Sequence, residues 1–126
     1  MQQHQALIAR SSARRRLTAS AARAGVEADE REVLVGSVLG ELAIRLTPEQ
    51  WREVCGWLPW DVCSLAGARH ASRLSPSEDL VTAVTADTGL PRPVTVVAVR
   101  AVLAELGRIL PARTIPPRLT RGVPGL

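Results

Sequence analysis

The chain is expected to fold as an all-α protein: a small helical bundle of about five helices, made of two tandem helical repeats with the second truncated. Three observations predict this. Apolar residues recur at helical spacing along two long segments. Capping residues, prolines and glycines punctuate the chain where such helices start and stop. The first half also aligns with the second at an offset of 64 residues. Setting 17–46 beside 81–110 without a gap gives eleven identities in thirty positions, including Thr18/Thr82, Gly25/Gly89, Val38/Val102, Leu39/Leu103, Glu41/Glu105 and Leu46/Leu110. Chance in an Ala-, Val- and Leu-rich chain gives roughly three, so duplication is the better account.

Each copy reads as a helix, a glycine stop and a longer helix. The first helix is expected over 5–24, with Gly25 supplying the left-handed cap. The long helix follows over 29–45, with Asp29, Glu30 and Glu32 at its positive end. Its stripe is Val35, Val38, Leu39, Leu42 and Leu46, one apolar face of an amphipathic helix. Thr47-Pro48-Glu49-Gln50 is a capping box that opens a third helix, with Trp51, Val54, Cys55 and Leu58 on one face. Leu58-Pro59 breaks the chain, and only a short helical turn around 61–65 is expected before a linker at 67–74.

Ser75-Pro76-Ser77-Glu78 reads as a second capping box, and the helix it starts ends at Gly89. The next stripe, Val99, Val102, Leu103, Leu106 and Leu110, repeats the spacing of the first copy. The β-branched run 94–99 taken alone also suits a strand, but its register with the first copy keeps it helical. Beyond it, Pro111, Pro116 and Pro117 remove donors and clash with a preceding turn, so no full third helix is expected. The organisation is thus one helical domain over 1–110, with repeats at 5–66 and 75–110, and an extended proline- and arginine-rich tail over 111–126.

The unit is an Ala-rich helix, Gly-Val or Gly-Leu, an acidic or proline start, V-L-x-x-L-x-x-x-L, then Leu-Thr-Pro-Glu-Gln and a closing Leu-Pro. In these features the chain resembles the helical family catalogued as domain of unknown function 2267. The resemblance covers most of the chain. It implies an all-α tandem-repeat fold and brings no activity and no catalytic residues with it. The proline-rich ending of the second copy departs from the pattern.

A chain of 126 residues that is 46% apolar can bury a real core in one domain. With no Phe or Tyr and only three Trp, that core is aliphatic. The net charge of +4 suggests an acidic partner, yet all sixteen basic residues are Arg, and Lys, Asn, Phe and Tyr are all absent. Those four have A/T-rich codons, so part of the Arg excess reflects a GC-rich gene. The distribution is more telling: 1–25 carries +5 with no acid, 26–110 carries −4, and 111–126 carries +3. The N-terminus leads into no apolar stretch of signal-peptide length, and 94–110 is broken by Arg100, Glu105 and Arg108. A cytoplasmic protein with reduced thiols and no membrane contact is expected.

The candidate contacts for nucleic acid or another acidic partner are Arg10, Arg14, Arg15 and Arg16, since clustered Arg serves phosphate contact without reading sequence. The plainer reading is a solvated face, or docking of this arm on the acids around Asp29, Glu30 and Glu32. Trp57 and Trp60 are the candidate interface aromatics, whereas Trp51 fits the buried stripe. A local cap over the end of the bundle explains the same tryptophans without a partner. Cys55, Cys63 and His70 lack both the spacing and the fourth ligand of a zinc site, and neither Cys is placed for an activated nucleophile. A DNA-reading helix-turn-helix over 17–38 is opposed by Glu27, Asp29, Glu30 and Glu32, which stand where phosphates must sit. With no catalytic, metal or cofactor set, the leading expectation is a non-enzymatic interaction or assembly module, engaging another protein or a second copy of itself. Electrostatic nucleic-acid binding through the Arg-rich N-terminal helix is the alternative. The missing third helix of copy two is expected to leave an apolar face uncovered.

Overall fold

In the computed structural model, residues 2–70, 79–120 and 123 are described, with 2–11 and 67–70 described by backbone alone. They form six α-helices and two 3-10 turns, with no strand among the described residues. The helices are α1 (Gln2–Arg23), α2 (Arg31–Arg45), α3 (Pro48–Trp57), α4 (Trp60–His70), α5 (Leu80–Thr88) and α6 (Arg92–Ile109). The 3-10 turns are Ala28–Glu30 and Pro117–Leu119.

Local chemistry accounts for most of the boundaries. Gly25 at φ 93° and Gly89 at φ 72° turn the chain out of α1 and α5 through the left-handed region that favours glycine. Thr47 caps α3 by accepting from the Gln50 amide at 3.2 Å, while the Gln50 side chain accepts from the Thr47 amide at 2.9 Å. The long helix of copy one starts two residues later than expected, because Asp29 and Glu30 lie in a 3-10 turn ahead of it. In copy two, the Ser75–Glu78 capping box lies outside the described residues. The cap of α5 is instead Asp79, whose backbone is extended and whose carboxylate accepts from the Thr82 amide at 2.7 Å.

The helices pair across the two sequence copies. Helix α1 packs more extensively on α6 than on α2, and α5 packs more extensively on α2 than on α6. Each copy thus covers its partner's long stripe. The expected stripe residues Val35, Val38, Leu39, Leu42 and Leu46 are buried, as are Val99, Val102, Leu103, Leu106 and Leu110, and they join one continuous core.

Two expectations are corrected. The segment after Pro59 is a full helix, α4, and it runs to His70 through the start of the expected linker. Val62 and Ala66 anchor it to the core four residues apart, and it packs more extensively on α2 than any other helix does. Gly36 permits this approach: a Cβ there would lie 3.0 Å from the Leu65 carbonyl oxygen.

The second correction concerns the C-terminal segment, which is not an extended tail. Ile115, Leu119 and Val123 pack against the core, and Thr114 is buried. Proline forbids a continuous helix without forbidding burial. Pro117 opens a 3-10 turn, where a missing N–H costs nothing. This segment covers apolar surface of copy two that was expected to stand open, so the core extends beyond residue 110.

Candidate functional site

The α3–α4 corner gathers the candidate aromatics and both cysteines. Leu58 precedes a proline and is held extended (φ −111°, ψ 148°), which ends α3 at Trp57. The Pro59 carbonyl then accepts from Val62 and Cys63 at 3.0 and 3.2 Å and starts α4 at Trp60. Val54, Leu58 and Val62 point inward, which leaves Trp57 and Trp60 on the outside of the corner. Trp60 is 83% exposed and Trp57 is 48% exposed. Two exposed indoles at one helix corner make it a candidate contact surface. Trp51 is half-buried against the core and does not stand with the other two.

A groove of about 520 Å³ lies between the end of α2 and α3, lined by Ala43, Ile44, Leu46, Pro48 and Trp51, with Arg52 and Cys55 on its wall. A second hollow, of about 190 Å³, lies at the end of α6 and is lined by Leu103, Gly107, Leu110, Ala112, Ile115 and other residues. Gly107, Leu110, Ala112 and Ile115 stand 64 residues beyond Ala43, Leu46, Pro48 and Trp51, so the two hollows lie in matching register.

Cys55 lines the groove between α2 and α3, and Cys63 packs against the core from α4. Burial pushes the Cys63 thiol pKa far up, and its neighbour Cys55 adds to the shift. The His70 side chain lies outside the described residues. Among those residues, no group of three or more His, Cys, Asp and Glu is placed to hold a metal ion.

The basic arm lies against acidic partners. Arg14 donates from Nε to Glu32 at 3.1 Å and from Nη1 to Asp61 at 3.0 Å, with a further bond from Nη2 to Glu32. Glu32 and then Asp61 hold its guanidinium pKa above the ordinary value. Arg16 donates to Glu105 at 2.7 Å, and Arg108 takes the other oxygen of that carboxylate at 2.8 Å. Arg15 is exposed, and the Arg10 side chain lies outside the described residues. Two of the arm's arginines are therefore engaged by carboxylates, which a phosphate has to displace before it can bind them. Their partners are Glu32, Asp61 and Glu105, so of the expected acids around residue 29 it is Glu32 that engages the arm.

No family profile, curated protein or solved structure matches this chain. The resemblance to domain of unknown function 2267 therefore rests on the quoted motifs alone. No helix among the described residues is long and apolar enough to cross a membrane.

One buried polar cluster was not singled out in the sequence reading. Glu41, 2% exposed, accepts from Arg45 at 2.7 Å, and Ser37 donates to Asp87 at 3.0 Å. Burial raises the Glu41 pKa, a hydrogen bond with Asp87 raises it further, and Arg45 opposes both. The cluster ties α2 of copy one to α5 of copy two. Its signal in the sequence is an acid within an apolar stripe, repeated at the same register as Glu41 and Glu105. Both carboxylates are largely buried and paired with Arg, which suits a structural tie better than acid–base work on a substrate.

Proposed function

We propose that the chain is a non-enzymatic interaction module whose contact surface is the α3–α4 corner, with Trp57 and Trp60 as its anchors. The exposure of Trp60, with Trp57 beside it in the chain, carries this reading. An exposed indole held on a rigid helix end presents large apolar area at a small cost in side-chain ordering, and tryptophan is enriched among residues that dominate binding energy. The groove between α2 and α3, lined in part by Trp51, offers further apolar surface. Pairing of Arg14 and Arg16 with carboxylates favours a protein contact over a phosphate contact.

The test is affinity capture from cell extract on the immobilised full chain, with a nuclease-treated extract in parallel and light scattering of the purified chain across concentrations. Loss of captured protein or of self-association in the Trp57→Ala/Trp60→Ala variant, unchanged by nuclease, supports the reading. Identical capture and identical mass in wild type and variant reject this surface. Capture that nuclease abolishes points instead to nucleic acid.

A further inference from the structure

The groove between α2 and α3 has the dimensions of a ligand site rather than of a packing gap. Its volume of about 520 Å³ lies within the roughly 300–1,000 Å³ of small-molecule sites. Ile44 and Leu46 from the end of α2, with Pro48 and Trp51 from the start of α3, make it mainly apolar. Among the residues that line it, Arg52 alone is charged. Arg52 is exposed and joins no ion pair among the described residues, and its helix neighbours Glu49 and Glu53 do not line the groove. An uncommitted guanidinium therefore stands at the edge of an apolar trough. Copy two shows the same place closed. There the C-terminal segment turns in on the end of α6, and Leu119 is buried at the register of the half-buried Cys55. The hollow left is about 190 Å³, so copy one keeps more than twice that volume open.

We propose that this groove binds a small aliphatic monocarboxylate, with its chain along Ile44, Leu46, Pro48 and Trp51 and its head group on Arg52. The apolar walls offer the chain an escape from water, at about fourfold in affinity for each CH₂ group buried. The guanidinium presents paired N–H donors to the two carboxylate oxygens, and that geometry fixes which end of the ligand lies where. Because Arg52 is exposed, the carboxylate stays at the mouth of the groove and keeps part of its hydration, so little desolvation opposes binding. A neutral or cationic amphiphile of the same length finds the walls but no partner for its head. The small side chain of Cys55 leaves the room that the chain fills, where copy two carries a leucine. The site lies apart from the Trp57/Trp60 surface and does not depend on that surface binding a protein.

The experiment titrates octanoate into the full chain by calorimetry, with butyrate, 1-octanol and octyltrimethylammonium as comparisons. Octanoate is expected to bind with a Kd on the order of a millimolar, and butyrate, four CH₂ groups shorter, to fall below detection. Arg52→Gln is expected to weaken octanoate about tenfold and to leave 1-octanol unchanged. Cys55→Leu, which gives copy one the residue that stands at this register in copy two, is expected to abolish binding of both. In the Trp57→Ala/Trp60→Ala chain Trp51 is the one indole left, and its fluorescence is expected to follow octanoate with the wild-type Kd. That readout places the ligand even if Cys55→Leu fails to fold. Four results would each overturn the proposal: no octanoate binding, equal binding of octyltrimethylammonium, a silent Trp51, or a loss in Arg113→Gln, at the second hollow, as large as in Arg52→Gln. Unchanged protein capture by the Trp57→Ala/Trp60→Ala chain bears on the interaction reading and leaves this site standing.

Discussion

Replacing Gly36 tests the packing that the sequence left out, the close approach of α4 to α2. Alanine in place of a helical glycine stabilises by about 0.5–1 kcal/mol when its Cβ has room. At Gly36 the new Cβ meets the Leu65 carbonyl oxygen at 3.0 Å and the Leu65 Cβ at 3.3 Å. The nearest obstacle is backbone within α4, which cannot rotate aside, and overpacking of this kind costs about 1–3 kcal/mol. Gly36→Ala is thus expected to lose about 1 kcal/mol net, the cost exceeding the gain. Gly56, in α3, is the control, because a Cβ there meets nothing within 4 Å. Gly56→Ala is expected to gain about 0.5 kcal/mol or slightly more. For a chain of this length 1 kcal/mol moves the Tm by about 4 °C, so calorimetry separates the pair with opposite signs. Gly36→Val is expected to cost more than Gly36→Ala. If Gly36→Ala stabilises as much as Gly56→Ala, the close approach of α2 and α4 is wrong.

Two further predictions address other parts of the fold. Leu119→Ala is expected to cost about 2–3 kcal/mol in urea unfolding, because Leu119 packs into the core; a change within about 0.5 kcal/mol would instead mark an exposed tail. Arg16→Ala is expected to cost about 1 kcal/mol at neutral pH through the half-buried pair with Glu105. Burial pushes the Glu105 pKa up, but the bonds and charges of Arg16 and then Arg108 outweigh it, so the folded value lies below the ordinary 4.5. A lowered folded pKa contributes stability that is present above the ordinary value and lost as pH falls through the folded one. The difference between wild type and variant should therefore shrink in acid, and a difference independent of pH would remove the electrostatic account.

How legible the molecule is from its residues depends on the range of the interaction involved. The capping box at Thr47, the glycine stops at Gly25 and Gly89, and both long apolar stripes are visible in the sequence because each is decided within one or two turns of chain. The exposure of Trp60 was also within reach, since a residue after Leu-Pro opens a new helix away from the preceding stripe. The errors came where local rules were carried too far. Proline in the last segment does abolish a helix, but Ile115, Leu119 and Val123, spaced by four, still find the core through turns. The segment after Pro59 lacks a strong amphipathic pattern. It becomes a full helix because α2 presents it with Gly36, which leaves room for the Leu65 backbone to approach.

By itself the sequence determined the helical class, most helix ends and the identity of the core stripes, since caps and periodicity act between residues three or four apart. Tertiary structure alone decided that α1 lies on α6 and α5 on α2, and that Arg14 meets Glu32 and Asp61. It also set the tie that joins Ser37 of α2 to Asp87 of α5. The physical reason is common to all of these. An apolar stripe is equally well covered by any matching stripe, and a charge is satisfied by any opposite charge that folding brings near. The choice among partners is therefore made only when every stripe is buried at once.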